Sequence, residues 1–229
     1  MPESIAIGIA AFNEEATVET VVRDSLRILS ALTSDYEVVV VDDGSADATA
    51  SILERLGREQ PALRVIRHPR NLGFGRTLRD IWTLPTKDWI FFLPGDGQIP
   101  PEELRRLWPA RERADFIIGW RRDRQDPWIR DAFAYVYNLV ISAGLRRRVR
   151  DVDSVCLVRS NLLRQMALTS ISGFIHAECC LKANASGARI AELPIAHRPR
   201  IAGHSRGVGL ANMLRMSWEL CCYAVRLGR

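Results

Sequence analysis

Two acidic clusters and one arginine-rich stretch hold the side chains of this chain that could do chemistry. Asp96 stands among glycines in Pro94-Gly95-Asp96-Gly97-Gln98, directly after the apolar run Trp89 to Leu93. A carboxylate and an amide oxygen two positions apart can present two hard ligands to Mg2+ or Mn2+, the remaining positions going to phosphates and water. Asp42-Asp43-Gly44-Ser45 follows a second apolar run, Tyr36 to Val41. Its carboxylates can bond a base or a ribose and its glycine permits a tight turn, while Ser45 or Asp47 can equally serve as a helix cap.

Residues 120–150 contain eight arginines against three aspartates. Arginine is a planar, bidentate partner for phosphate and carboxylate, so this stretch points to an anionic partner. The arginines flank an apolar, aromatic segment, Trp128 to Leu145, and form no stacking pattern of a recognised nucleic-acid module. Nucleic acid therefore ranks below phospholipid and phosphorylated substrate.

The elements that position these groups follow from apolar spacing. Ile5 to Ala11 reads as a strand that stops at Phe12-Asn13-Glu14-Glu15, after which Val18, Val21, Val22, Leu26 and Leu29 recur at helical intervals. Tyr36 to Val41 predicts a second strand, with a helix from about Asp47; Leu63 to Arg67 predicts a third, with a helix after Asn71-Leu72-Gly73-Phe74-Gly75. Trp89 to Leu93 predicts a fourth. Four such units in series imply a parallel, doubly wound sheet, in which ligands sit beyond the carboxyl ends of the strands. Every polar cluster named so far lies at such an end. Further on, the pattern predicts a helix over Trp128 to Leu145, strands over Val152 to Val158 and Arg189 to Ile195, a helix around Ile175 to Ala185, and an amphipathic helix from Gly207.

At 229 residues, with 47% hydrophobic and 26% charged side chains, the chain has the size and composition of a compact α/β domain rather than a disordered one. The net charge is +5. Its five cysteines, Cys156, Cys179, Cys180, Cys221 and Cys222, show no zinc or C-x-x-C spacing, which fits a reducing compartment. No basic-then-apolar leader precedes Ile5, and no uninterrupted apolar window reaches about 18 residues. The expectation is a chain that rests on a membrane surface without crossing it.

Taken in order, Phe12-Asn13-Glu14-Glu15, Val41-Asp42-Asp43-Gly44-Ser45-Ala46-Asp47, Asn71-Leu72-Gly73-Phe74-Gly75 and Gly95-Asp96-Gly97-Gln98 closely resemble the family 2 glycosyltransferases of GT-A fold. The second half narrows the resemblance. Gly119-Trp120-Arg121, Arg130 before a helix with Asn138, Arg150-Asp151-Val152-Asp153-Ser154, Glu178, and the run from Arg200 to Arg206 are similar to the dolichol-phosphate mannosyltransferase and bacterial polyprenyl-phosphate glycosyltransferase branch.

The resemblance implies a Rossmann-like, mixed and mainly parallel sheet flanked by helices, with a C-terminal amphipathic helix. It divides the chain into a nucleotide-sugar half (1–119), an acceptor half of the same domain (120–206) and a terminal helix (207–229). Phe12, Glu14, Val41 and Asp43 match positions that hold the nucleotide, and Asp96 and Gln98 match ligands of Mg2+ or Mn2+ beside the diphosphate. Arg121, Arg130 and Ser154 match the region receiving the acceptor phosphate. The implied reaction transfers a sugar from a nucleotide-diphosphate sugar to a polyprenyl phosphate with inversion, at the cytoplasmic face of a membrane. A homo-oligomer or a separate anchoring subunit is compatible with that setting. A hydroxyl acceptor is the alternative, with Asp151 or Asp153 as base, although Asp151 can also brace Arg150. A non-catalytic sugar-nucleotide binder is a further alternative, since Pro94 replaces the first acid of the usual Asp-x-Asp motif. Ala10-Ala11 and Val155 also depart from the family pattern.

Overall fold

The computed structural model describes residues 3–122, 128–200 and 210–227, excluding the side chains of 128–132, 210–213 and 224–227. The first four strands are β1 (Ile5–Ala11), β2 (Tyr36–Asp42), β3 (Leu63–Arg67) and β4 (Trp89–Pro94); between them run α1 (Val18–Leu32), α2 (Thr49–Glu59) and α3 (Phe74–Thr83). These strands are mutually parallel, as their continuous Val, Ile and Phe runs require of a sheet covered on both faces. Val38, Val39, Val40 and Val41 are all fully buried. Gly8 lets α3 lie directly on β1, because a Cβ there would stand 2.4 Å from Ile81 Cγ2.

Past β4 the chain makes short helical turns, including α4 (Leu104–Leu107), and then β5 (Phe116–Arg121). The remaining elements are α5 (Trp128–Leu145), β6 (Cys156–Arg159), α6 (Ser160–Arg164), α7 (Ile175–Ala185), β7 (Ile190–Ile195) and α8 (Leu210–Leu227). The sheet order is β3-β2-β1-β4-β6-β5-β7.

The sheet is mixed and mainly parallel, as the resemblance implies: β6 runs antiparallel to both β4 and β5, while β5 and β7 are parallel. One expectation needs correction. The strand expected over Val152 to Val158 begins only at Cys156. Val152 and Val155 are buried, but the Val152 amide donates to Asn138 Oδ1 at 2.9 Å, so a side chain rather than a strand ladder satisfies this backbone. The reversal of β6 matters for function. Its N-terminal loop, 151–155, emerges on the same rim as the C-terminal ends of β1, β2, β4 and β5.

Candidate active site

The donor side of the rim is built by stapled loops. Asn13 adopts a left-handed φ of 54°, which turns its Oδ1 to accept the Ala46 amide at 2.8 Å while its own amide donates to Ser45 Oγ at 2.9 Å. Glu15 Oε2 accepts the Ala48 amide. Asn13 and Glu15 thus lock the loop after β1 to the loop after β2, and Glu14 between them is turned elsewhere. Gly44, at φ 72°, is required because a Cβ there would meet the Arg70 carbonyl carbon at 2.4 Å.

Glu14 faces the loop after β4. Arg200 Nη2 donates to Glu14 Oε1 at 2.9 Å and to Asp96 Oδ2 at 3.0 Å, so one guanidinium nitrogen serves two carboxylates. The Arg198 amide donates to the Gln98 carbonyl at 2.7 Å, which lays the 198–200 segment along the 96–98 turn and delivers Arg200. Gln98 closes its own turn by donating its amide to Asp96 Oδ1, and its side chain donates to the Arg198 carbonyl at 3.4 Å. Burial pushes the Glu14 carboxyl up to about 7; Arg200 pulls it down, and nearby Asp96 pushes it up again.

The other predicted donor contacts divide. Phe12 is half-buried just past the end of β1. Asp43 is 4% exposed, and its carboxylate accepts the amides of Leu72 and Gly73 at 2.8 and 2.9 Å. Asp42 turns inward to the Ser45 amide and hydroxyl. Val41 is closed off within the core, so its side chain offers a base no surface.

On the acceptor side, Arg121 closes β5 and is held by Asp151. Nε donates to Oδ2 and Nη2 to Oδ1, each at 2.8 Å, and the Arg121 amide also donates to Oδ2. Asp151 therefore braces Arg121 and not Arg150, whose guanidinium lies 5.0 Å over the Trp120 ring and whose amide donates to Glu192. Strand order explains the choice: the 151–155 loop abuts the end of β5. Ser154 is 3% exposed, and its Oγ has no partner among the described residues. The side chain of Arg130 and residues 201–206 lie outside the described residues.

His176, at the start of α7, was not singled out by sequence. Its ring packs 5.0 Å from that of Phe92, two positions before Pro94. Burial lowers its pKa to about 3, Arg121 lowers it further and Asp151 opposes them. Arg200 was quoted within a motif but given no partner; 186 and 104 residues separate it from Glu14 and Asp96, and no local pattern links them.

The arrangement offers guanidinium groups to anions and carboxylate and amide oxygens to a hard cation. One rim carries a shared-cation carboxylate pair and, across β4 and β6, a rigid arginine. Among the described residues no group of three or more His, Cys, Asp or Glu forms a metal cage. Asp96 and Gln98 suit a hard cation that draws its remaining ligands from a substrate, and the carboxylate pair sharing one guanidinium marks the concentration of negative charge such an ion would meet.

Residues 6–171 match the family model described as glycosyl transferase family 2. The chain is 28% identical over 223 residues to the undecaprenyl-phosphate 4-deoxy-4-formamido-L-arabinose transferase of Edwardsiella ictaluri (strain 93-146), covering 94% of this chain and 66% of that protein. Identity to the protein of the same name from Pseudomonas fluorescens (strain Pf0-1) is 30% over 209 residues, covering 88% and 59%. The chain thus spans about three fifths to two thirds of these relatives' length. A solved structure of glucosyl-3-phosphoglycerate synthase from Mycobacterium tuberculosis, in complex with Mn2+, uridine diphosphate and glucosyl-3-phosphoglycerate, superposes with a TM-score of 0.74 at 18% identity, covering 98% of this chain and 79% of that one. That likeness shows the shared GT-A fold.

Proposed function

From the premise that the chain belongs to glycosyl transferase family 2, we propose that it transfers a sugar from a nucleoside-diphosphate sugar to a polyprenyl phosphate, inverting the anomeric carbon. The observation that carries this reading is the placement, on one rim, of the Glu14–Arg200–Asp96 bridge beside the Arg121–Asp151 fork. The named relatives act on undecaprenyl phosphate, which supports the acceptor class.

In this reading residues 1–119 bind the donor and 120–206 the acceptor. Asp96 and Gln98 would hold Mg2+ or Mn2+ together with the donor diphosphate; the structural neighbour's Mn2+ and uridine diphosphate support that class of cofactor. When bound, the ion neutralises the charge that develops on the departing diphosphate. Arg200, bonded to Asp96, would keep a cation beside the leaving group. Arg121, Arg130 and Ser154 receive the acceptor phosphate. Asp151 fixes the plane of the Arg121 guanidinium, so the incoming dianion is oriented without ordering a long side chain at the moment of binding. A phosphate monoester, with a second pKa of about 6, is already mostly dianionic at neutral pH and needs no general base.

Membrane docking supplies the lipid. Among the described residues no helix is long and apolar enough to cross a membrane. Tyr135 on α5 and Trp218 on α8 are nevertheless each 70% exposed, with Val136, Leu139, Val140 and Leu214 also outward, while Arg146 and Arg148 stand exposed just past α5. Apolar faces flanked by arginine suit the headgroup layer of an anionic, cytoplasmic leaflet. The test incubates the protein with Mg2+ or Mn2+, a panel of UDP-, GDP- and dTDP-sugars and a polyprenyl phosphate, and reads the lipid by mass spectrometry. A glycosylated lipid phosphate is expected. Transfer only to soluble hydroxyl acceptors, or none from any donor, would overturn the assignment.

A further inference from the structure

His68 belongs to none of the motifs discussed above, yet it sits at the foot of the donor side. It follows β3 and is 6% exposed. Its Nδ1 lies 2.7 Å from Asp43 Oδ1 and its Nε2 lies 2.9 Å from Asp80 Oδ2, so both ring nitrogens face carboxylate oxygens.

Asp80 Oδ2 also accepts Arg76 Nε at 3.0 Å, and Asp43 accepts two backbone amides, Leu72 on Oδ1 and Gly73 on Oδ2. The ring thus bridges two carboxylates that other donors already hold in place.

This leaves Asp43 little capacity. An ionised carboxylate has about four acceptor directions. Two on Oδ1 are filled by His68 and Leu72, and one on Oδ2 by Gly73. A single direction on Oδ2 is left for a ligand.

We propose that His68, held between Asp80 and Asp43, is a positioning residue of the donor site, fixing Asp43 so that one Oδ2 direction receives one N–H or O–H of the donor nucleoside. The inference rests on the donor reading of Asp43 made above. His68 also ties α3, through Asp80, to the loop that carries Leu72 and Gly73. Loss of the ring would break the link between Asp43 and Asp80 and loosen the Leu72–Gly73 turn that Asp43 holds.

The experiment is calorimetry of UDP, GDP and dTDP binding to the full chain in Mg2+, with donor kinetics alongside. His68→Gln, which can donate to only one carboxylate, is expected to weaken the best-bound nucleotide about tenfold, equal to about 1.4 kcal/mol. Its kcat at saturating donor should stay near the parent value. Asp80→Asn leaves the ring in place and should weaken binding a few-fold, giving a second reading if His68→Gln does not fold. Unchanged nucleotide affinity in folded variants overturns the proposal. Failure of the parent to bind any of the three nucleotides would instead overturn the donor reading itself.

Discussion

Asp151 grips Arg121 along a two-bonded edge, Nε to Oδ2 and Nη2 to Oδ1, both at 2.8 Å, with the pair almost closed to solvent. A buried fork of this kind fixes one orientation of the guanidinium.

The first expectation concerns that fork. Asp151→Asn keeps the shape but removes the negative charge from two charge-assisted bonds, so urea unfolding should show a loss of stability on the order of a few kcal/mol. Arg121→Ala should lower kcat/KM for polyprenyl phosphate by about tenfold or more, while nucleotide affinity by calorimetry stays near the parent value. Equal losses in both measurements would mean that Arg121 serves the donor diphosphate.

Next, metal binding should depend on the nucleotide. Pro94 pairs with Ala10 in the ladder where an acid would add a second carboxylate, and the Asp96 carboxylate is shared with Arg200. Calorimetry should show weak Mg2+ binding to the protein alone and much tighter binding with a nucleoside diphosphate, a coupling that must be reciprocal. Asp96→Asn should remove most activity. Arg200→Ala should strengthen nucleotide-free Mg2+ binding by removing the competing cation; tight metal binding by the unaltered protein would contradict this account.

Two buried groups set opposite pH trends in stability. Glu14 has its pKa raised by burial from 4.5 to about 7, so the folded protein binds the extra proton. Its contribution is full below pH 4.5 and is lost as pH rises through 7. His176 has its pKa lowered by burial from 6.5 to about 3, so its contribution is full above pH 6.5 and is lost as pH falls toward 3. Urea midpoints across pH should show Glu14→Gln gaining relative to the parent at pH 8 but not at pH 4. His176→Phe should lose much of the parent's acid sensitivity, an effect on the order of a few kcal/mol. A parallel pH profile for His176→Phe and the parent would exclude the imidazole as the cause.

Membrane attachment is expected to depend on exposed apolar side chains. Trp218→Glu and Tyr135→Glu alter residues that touch little of the core, so melting temperature should hold within about 2 °C, in line with the small effects of surface changes. Flotation with vesicles containing anionic lipid should fall in each variant and further in the double variant. Undiminished flotation of the double variant would assign these faces to another contact.

The sequence by itself determined the elements and the rim. Continuous apolar runs and period-3.6 apolar spacing are local properties, so β1 to β4, α1, α5 and α7 were legible, and with them the fact that Glu14, Asp43 and Asp96 follow strand ends. It did not reveal β5, the reversal of β6, or the turn that replaces a strand at Val152 to Val155. Burial alone looks the same in a loop as in a strand; the difference there is one side-chain bond from Asn138. Tertiary structure also chose the partners. Asp151 took Arg121 over its neighbour Arg150, Arg200 joined Glu14 to Asp96, and Asp43 turned to His68 and two amides. Each choice is a competition between charges and donors that meet only after the strand order is set. Spacing along the chain fixes which groups reach the rim, but the order and direction of the strands decide which of them touch.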